Sequence, residues 1–140
     1  MYILIQMNLP TNDTHWGYVG YKHERTDPDN QKQGDTKMGF YIAQNESVSR
    51  RLNQWPKIPG WKDRVQSYMD KMHHLSDELA HLIARSLNLS ADYFDESRDE
   101  GQEVLYLLHY PPRKSDPAEG LLGAGSHTDY DLVCIRTLIC

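Results

Sequence analysis

Val104-Leu105-Tyr106-Leu107-Leu108-His109-Tyr110-Pro111-Pro112, a polar loop, and then Gly123-Ala124-Gly125-Ser126-His127-Thr128-Asp129-Tyr130 form the stretch from which the rest of the chain can be read. The first run is apolar and aromatic, and it stops at two prolines that have no N–H to give a ladder. That texture predicts a strand. The small residues Gly123-Ala124-Gly125 then lead into His127-Thr128-Asp129. In extended backbone, positions i and i+2 point to the same side, so an imidazole and a carboxylate so spaced can reach one ion. A bare His-x-Asp arises often by chance, and its bland alternative is a hydrogen-bonded pair at a strand end. Beyond it, Leu132-Val133-Cys134-Ile135 predicts one more strand, and Thr137-Leu138-Ile139-Cys140 stays apolar to the last residue.

Upstream, Pro59-Gly60 punctuate the start of the strongest regular element. Trp61, Val65, Tyr68, Met69, Met72, Leu75, Leu79, Leu82, Ile83 and Leu87 recur at three- and four-residue steps. That spacing stacks them on one face of a helix about 40 Å long. Such a stripe must be covered by something large. Asn88 suits the left-handed residue that ends helices. Ser90 is expected to cap a short turn that docks Tyr93 and Phe94, and Asp95 to Gly101 reads as a solvated acidic linker. Residues 8 to 36 are rich in Gly, Asn, Asp and Pro and read as loop, with short strands expected within Trp16–Tyr21 and over Met38–Ile42.

The 140 residues suit one ordinary domain, and 39% hydrophobic with 25% charged residues is a soluble globular balance. A net charge of −5 with scattered Lys and Arg provides no basic stripe for nucleic acid. The Met1–Ile5 run is too short for a membrane span and has no basic flank, so neither a signal peptide nor a membrane partner is expected. Cys134 and Cys140, six apart, make a poor disulfide framework and suit a reducing, cytoplasmic setting.

One His, one carboxylate and one further His make the facial triad of non-haem Fe(II) oxygenases. The Tyr110-Pro111 strand end, the glycine-rich approach and His127-Thr128-Asp129 resemble the isopenicillin N synthase-like family of Fe(II)/2-oxoglutarate-dependent oxygenases. Gly17-Tyr18-Val19, Phe40-Tyr41-Ile42, Asn53-Gln54-Trp55-Pro56 and the long helix ahead of Tyr93-Phe94 extend the likeness over nearly the whole chain. The resemblance implies an α+β chain. Its long helix would pack on part of a double-stranded β-helix (jelly-roll) core that is incomplete at the C-terminus. Residues 1–98 would belong to the family's N-terminal region and 99–140 to the start of the jelly-roll domain. It also implies His127 and Asp129 as metal ligands and Tyr110 as a contact to 2-oxoglutarate. No separate catalytic side chain is expected.

The family's activity is oxidation of a small organic substrate with O₂, giving succinate and CO₂. Leu108 and Tyr106 stand where many members have Asn and Arg, and Asp131 follows the motif tyrosine where a small residue is usual. The family's third ligand, a His, and a later Arg are expected beyond Cys140. None of His15, His23, His73, His74, His81 or His109 is expected to replace that ligand. The 140 residues alone are therefore expected to be inactive, and a catalytically silent paralogue with an interaction role is the competing reading.

Overall fold

The computed structural model describes residues 16–46, 53–99, 103–129 and 131–138. The Met1–Ile5 run, His15, Glu100-Gly101, Tyr130 and Ile139-Cys140, all used above, lie outside the described residues. Three strands, β1 (Gly17–Val19), β2 (Met38–Ala43) and β3 (Val104–His109), form one antiparallel sheet in the order β1-β2-β3. Phe40 pairs with Leu107, and Tyr41 pairs with both Gly17 and Tyr106. The twofold period sends Phe40 and Ile42 to one face and Tyr41 and Ala43 to the other. All four are buried, so the central strand is covered on both sides.

On the first face, Phe40 and Ile42 meet Met69 of α1 (Trp61–Ser86), with Tyr18, Trp55, Trp61, Val65 and Leu105 around them. Phe40 meets Trp61 edge to face at 5.8 Å between ring centres, a favoured aromatic geometry. On the second face, Trp16, Val19, Tyr41 and Ala43 pack with Val104. A long helix lying on an antiparallel sheet is thus an α+β arrangement, as the sequence implied. The sheet draws its strands from both sides of the expected 98/99 division, because β3 pairs with β2 along its whole length.

Helix α1 starts at Gly60, which is left-handed at φ 68°, and carries Asp63 in its first turn, where a carboxylate complements the positive end of the helix. It ends as the sequence indicated. Asn88 sits at φ 59°, its N–H bonds to the Arg85 carbonyl at 3.0 Å, and the Leu89 N–H bonds to the Ala84 carbonyl at 3.0 Å. These are the paired bonds of a Schellman stop.

Its covered face differs from expectation. Burial follows Trp61, Val65, Met69, Met72, Ser76, Ala80 and Ala84, whereas Tyr68, Leu75, Leu82 and Leu87 are exposed. Small side chains in the second half let neighbouring chain come close. Ser76 there accepts a hydrogen bond from Arg98 at 2.8 Å.

Three further local expectations are corrected. The acidic stretch is not a linker: Asp95–Asp99 forms a short helix, α2. It is tied to α1 through Asp95, which lies 3.1 Å from His81, and through Arg98, which pairs with Asp77. Tyr93 is not docked. Its ring is 58% exposed and touches only its neighbour Phe94 edge to face, among the ring contacts of the described residues. Leu132–Ile135 forms no strand, because no described segment offers it a ladder.

His73 of α1 bonds Glu103 at 2.9 Å and faces Asp77 at 3.7 Å. The hydrogen bond to Glu103, joined by the charges of Glu103 and Asp77, outweighs burial and raises its pKa above 6.5. A raised folded value means stabilisation that is complete below about pH 6.5 and lost as pH climbs through the folded value. His73→Gln should therefore lose less stability than the parent on alkalinisation across that window. The difference should be under about 1 kcal/mol because the pair is half exposed, and thermal unfolding at a series of pH values reads it.

Candidate metal centre

The polar segment between β1 and β2 carries turn chemistry, yet it folds around a buried carboxylate. Asp35 is fully buried and Gln31 nearly so. The Asp35 carboxylate accepts from Gln31 Nε2 at 2.7 Å and from the Thr26 hydroxyl at 3.0 Å, and it lies 3.2 Å from Lys37 Nζ. Burial pushes its pKa up, but the bonds from Gln31, Thr26 and Lys37 together hold it below the ordinary carboxylate value. Lys37 also pairs with Glu24, which accepts from the Tyr41 hydroxyl at 2.5 Å. Burial, then that bond, keeps the Tyr41 phenol protonated far above its usual range.

This cluster seats the glycine-rich approach. The Gly125 N–H donates to Thr26 Oγ1 at 2.7 Å and to Asp35 Oδ1 at 3.2 Å. A Cβ on Gly125 would stand 2.5 Å from both Asp27 Cβ and Gln31 Oε1, so no other residue fits without displacing the loop. A second clasp lies just before it, where the Thr36 N–H bonds the Leu122 carbonyl at 2.9 Å.

From that seat the chain leads directly to His127 and Asp129. His127 Nε2 stands 3.3 Å from Asp129 Oδ1, so both side chains reach the same point, as the i, i+2 spacing implied. His127 Nδ1 lies 2.8 Å from the Gly125 carbonyl. A carbonyl can only accept, so Nδ1 carries a hydrogen, and in the neutral ring Nε2 is the lone-pair nitrogen that faces the carboxylate. The contact is an ion pair when Nε2 carries a hydrogen, and it offers two lone-pair donors to one cation when it does not. Donors bound at right angles to one ion, each at about 2.1 Å, stand roughly 3.0 Å apart, close to what the pair provides. The donor set, one imidazole and one carboxylate, fits a divalent transition metal. Both side chains are open to solvent, at 38% and 46%, so an ion and a further ligand can approach.

Tyr110 follows β3 directly. Its ring lies 3.4 Å from where a Cβ on Gly123 would stand, so the glycine-rich approach passes flat against it. It is exposed, and no bond from its hydroxyl is seen among the described residues. Tyr106, in register with Tyr41 and stacked on it edge to face at 4.6 Å, feels burial first and then the charges of Asp131 and Glu24, which raise its pKa. Arg136, to which the sequence assigned no role, has its pKa raised by a hydrogen bond with Cys134 first, then by the nearby Asp129 and Tyr110.

Among the described residues, no group of three His, Cys, Asp or Glu side chains is placed to hold one ion. His73 and His81 are engaged with Glu103 and Asp95 on the helical side of the molecule. A polar cleft of about 500 Å³ lined by Asn53, Trp55, Lys62, Gln66, His73 and Arg98 involves none of the residues of the pair.

The chain matches no family model. Its fold follows that of a full-length Neurospora crassa protein whose crystal structure is a complex with alpha-KG (2-oxoglutarate), with a TM-score of 0.68 and 30% identity over 90% of this chain. Among curated proteins it is 38% identical over 79 residues to the 2-oxoglutarate-dependent dioxygenase frbJ of Dothideomycetidae sp. (strain 11243). These relatives carry the names of 2-oxoglutarate/Fe(II) oxygenases, and the chain fits that family. Another relative, the 2-oxoglutarate-Fe(II) type oxidoreductase hxnY of Emericella nidulans, is 29% identical over 71% of this chain. The chain spans 22% of frbJ, 29% of hxnY and 42% of the Neurospora crassa protein, less than half of each relative. No helix among the described residues is long and apolar enough to cross a membrane.

Proposed function

We propose that His127 and Asp129 are two protein ligands of an Fe(II) ion in an oxygenase that uses 2-oxoglutarate and O₂ to oxidise a small organic substrate. The observation that carries this is the convergence of His127 Nε2 and Asp129 Oδ1 at 3.3 Å, with Nδ1 of the ring held on the Gly125 carbonyl. When bound, Fe(II) with 2-oxoglutarate supplies the O₂ chemistry that oxidises the substrate and yields succinate and CO₂. The protein's share is positional: Gly125 sets the His127 ring, and the 127–129 spacing brings the carboxylate to the same point. Tyr110, beside the glycine-rich approach, is assigned to the 2-oxoglutarate carboxylate. Leu108 and Tyr106 withdraw the Asn and Arg contacts common in the family, so Tyr110 carries more of that role here.

The third protein ligand comes from outside the described residues. Residues 1–98 and 99–140 correspond to the family's N-terminal region and the start of its double-stranded β-helix, which share the sheet of β1, β2 and β3. A cytoplasmic setting, where Fe(II) and the exposed thiol of Cys134 stay reduced, completes the reading.

A non-catalytic binding role is the second reading, favoured by the presence of only two converging donors among the described residues. Fe(II)-dependent succinate formation from 2-oxoglutarate separates the two in a form that carries the third ligand, while the 140 residues alone are expected to give none. Turnover that chelation abolishes and Fe(II) restores supports the oxygenase. Fe(II) binding without succinate supports the silent paralogue.

A further inference from the structure

We infer that Asp35 and Thr26, in the loop between β1 and β2, are positioning residues for His127, acting through the backbone of Gly125. This inference rests on the metal-ligand reading of His127 and deepens it. Gly125 is held on both of its backbone polar groups. Its N–H donates to the half-buried Thr26 hydroxyl at 2.7 Å and to the buried Asp35 carboxylate at 3.2 Å, and its carbonyl accepts from His127 Nδ1 at 2.8 Å. The orientation of that carbonyl decides which ring nitrogen keeps the hydrogen, and therefore which nitrogen can bind a metal.

The anchoring carboxylate is rigid. It is fully buried, with Gln31, Thr26, Lys37 and Gly125 all within hydrogen-bonding distance of its two oxygens. Gln31 is locked in turn, because its Oε1 accepts the Asp27 N–H at 2.8 Å. The absence of space for a side chain on Gly125 shows how closely this loop is seated against the approach to the pair. A loop fixed this firmly ninety positions upstream does more than connect two strands.

The test uses protein labelled with ¹⁵N on histidine, read at alkaline pH where the ring is neutral, with Co(II) alone as the metal probe. The parent should show His127 with its hydrogen on Nδ1 and one Co(II) affecting its Nε2. Asp35→Asn and Thr26→Val should each move the ring toward a mixture of tautomers and weaken Co(II) binding by about 10-fold. Thr26→Ser, which keeps the hydroxyl, should restore both. Amide shifts of β1 and β2 report whether each variant keeps its fold, and Thr26→Val decides the matter if Asp35→Asn does not. Tautomer and Co(II) affinity unchanged within about twofold in the folded variants would overturn the inference, since a lost outer partner should cost more than that. A parent whose His127 ignores Co(II) would instead remove the metal reading, and the tautomer comparison would still judge the positioning role.

Discussion

In a form of the protein that carries the third ligand, replacing His127 by Ala is expected to reduce Fe(II)-dependent oxidation of 2-oxoglutarate by at least about 100-fold, since outer partners of metal ligands alone typically cost about 10- to 100-fold. Asp129→Ala should do the same. Because both donors serve one ion, their losses should not add: the double variant should be no worse than either single one, the signature of groups that act as a unit. Turnover by the three variants, each shown folded by its unfolding transition, makes the comparison. Independent, additive losses would mean that the two side chains do not share an ion. His73→Ala should leave turnover intact, since its partners Glu103 and Asp77 belong to the helical side of the molecule.

Phe40→Ala should destabilise the fold by about 3–5 kcal/mol, the usual cost of deleting a fully buried aromatic ring and leaving its cavity. Phe40 is 1% exposed, sits on the central strand, and contacts Trp61 of α1, so the cavity would open between sheet and helix. The rigid covering on both faces of β2 leaves little scope for collapse. Denaturant unfolding reads the change as a shift in midpoint. A loss below about 1 kcal/mol would show that the sheet–helix contact is not the core of the molecule. Leu82→Ala, by contrast, alters an exposed position of the same helix and should fall within about 0.5 kcal/mol.

These particulars show where the sequence was readable. Helix α1 was legible at both ends because its punctuation is local: Gly60 starts it, and Asn88 stops it with a bond to a residue three positions back in the chain. The approach of His127 to Asp129 was legible for the same local reason, since the two lie only two residues apart in the chain. What failed was non-local. Apolar periodicity says which faces of α1 are apolar, not which is covered, and the covered one is lined with Ser76, Ala80 and Ala84 in its second half.

The charges of α2 looked solvated because their partners, His81 and Asp77, lie earlier in the chain on another helix. Asp35 and Gln31 looked like loop residues because nothing nearby in sequence marks them as buried, and the amide they hold belongs to Gly125. A Gly-Asp pair followed by Lys37 in an otherwise turn-rich loop is the faint signal available, since a carboxylate close to a lysine can be buried only as a paired charge. Leu132–Ile135 had strand composition without a partner, and composition alone does not make a ladder.

The most direct measurement is a crystal structure of the protein grown anaerobically with Fe(II). One ion should appear with His127 Nε2 and an Asp129 carboxylate oxygen each at roughly 2.0–2.2 Å, and His127 Nδ1 still on the Gly125 carbonyl. Iron bound at any other group of side chains, with the 127–129 pair left as a simple hydrogen-bonded contact, would contradict it.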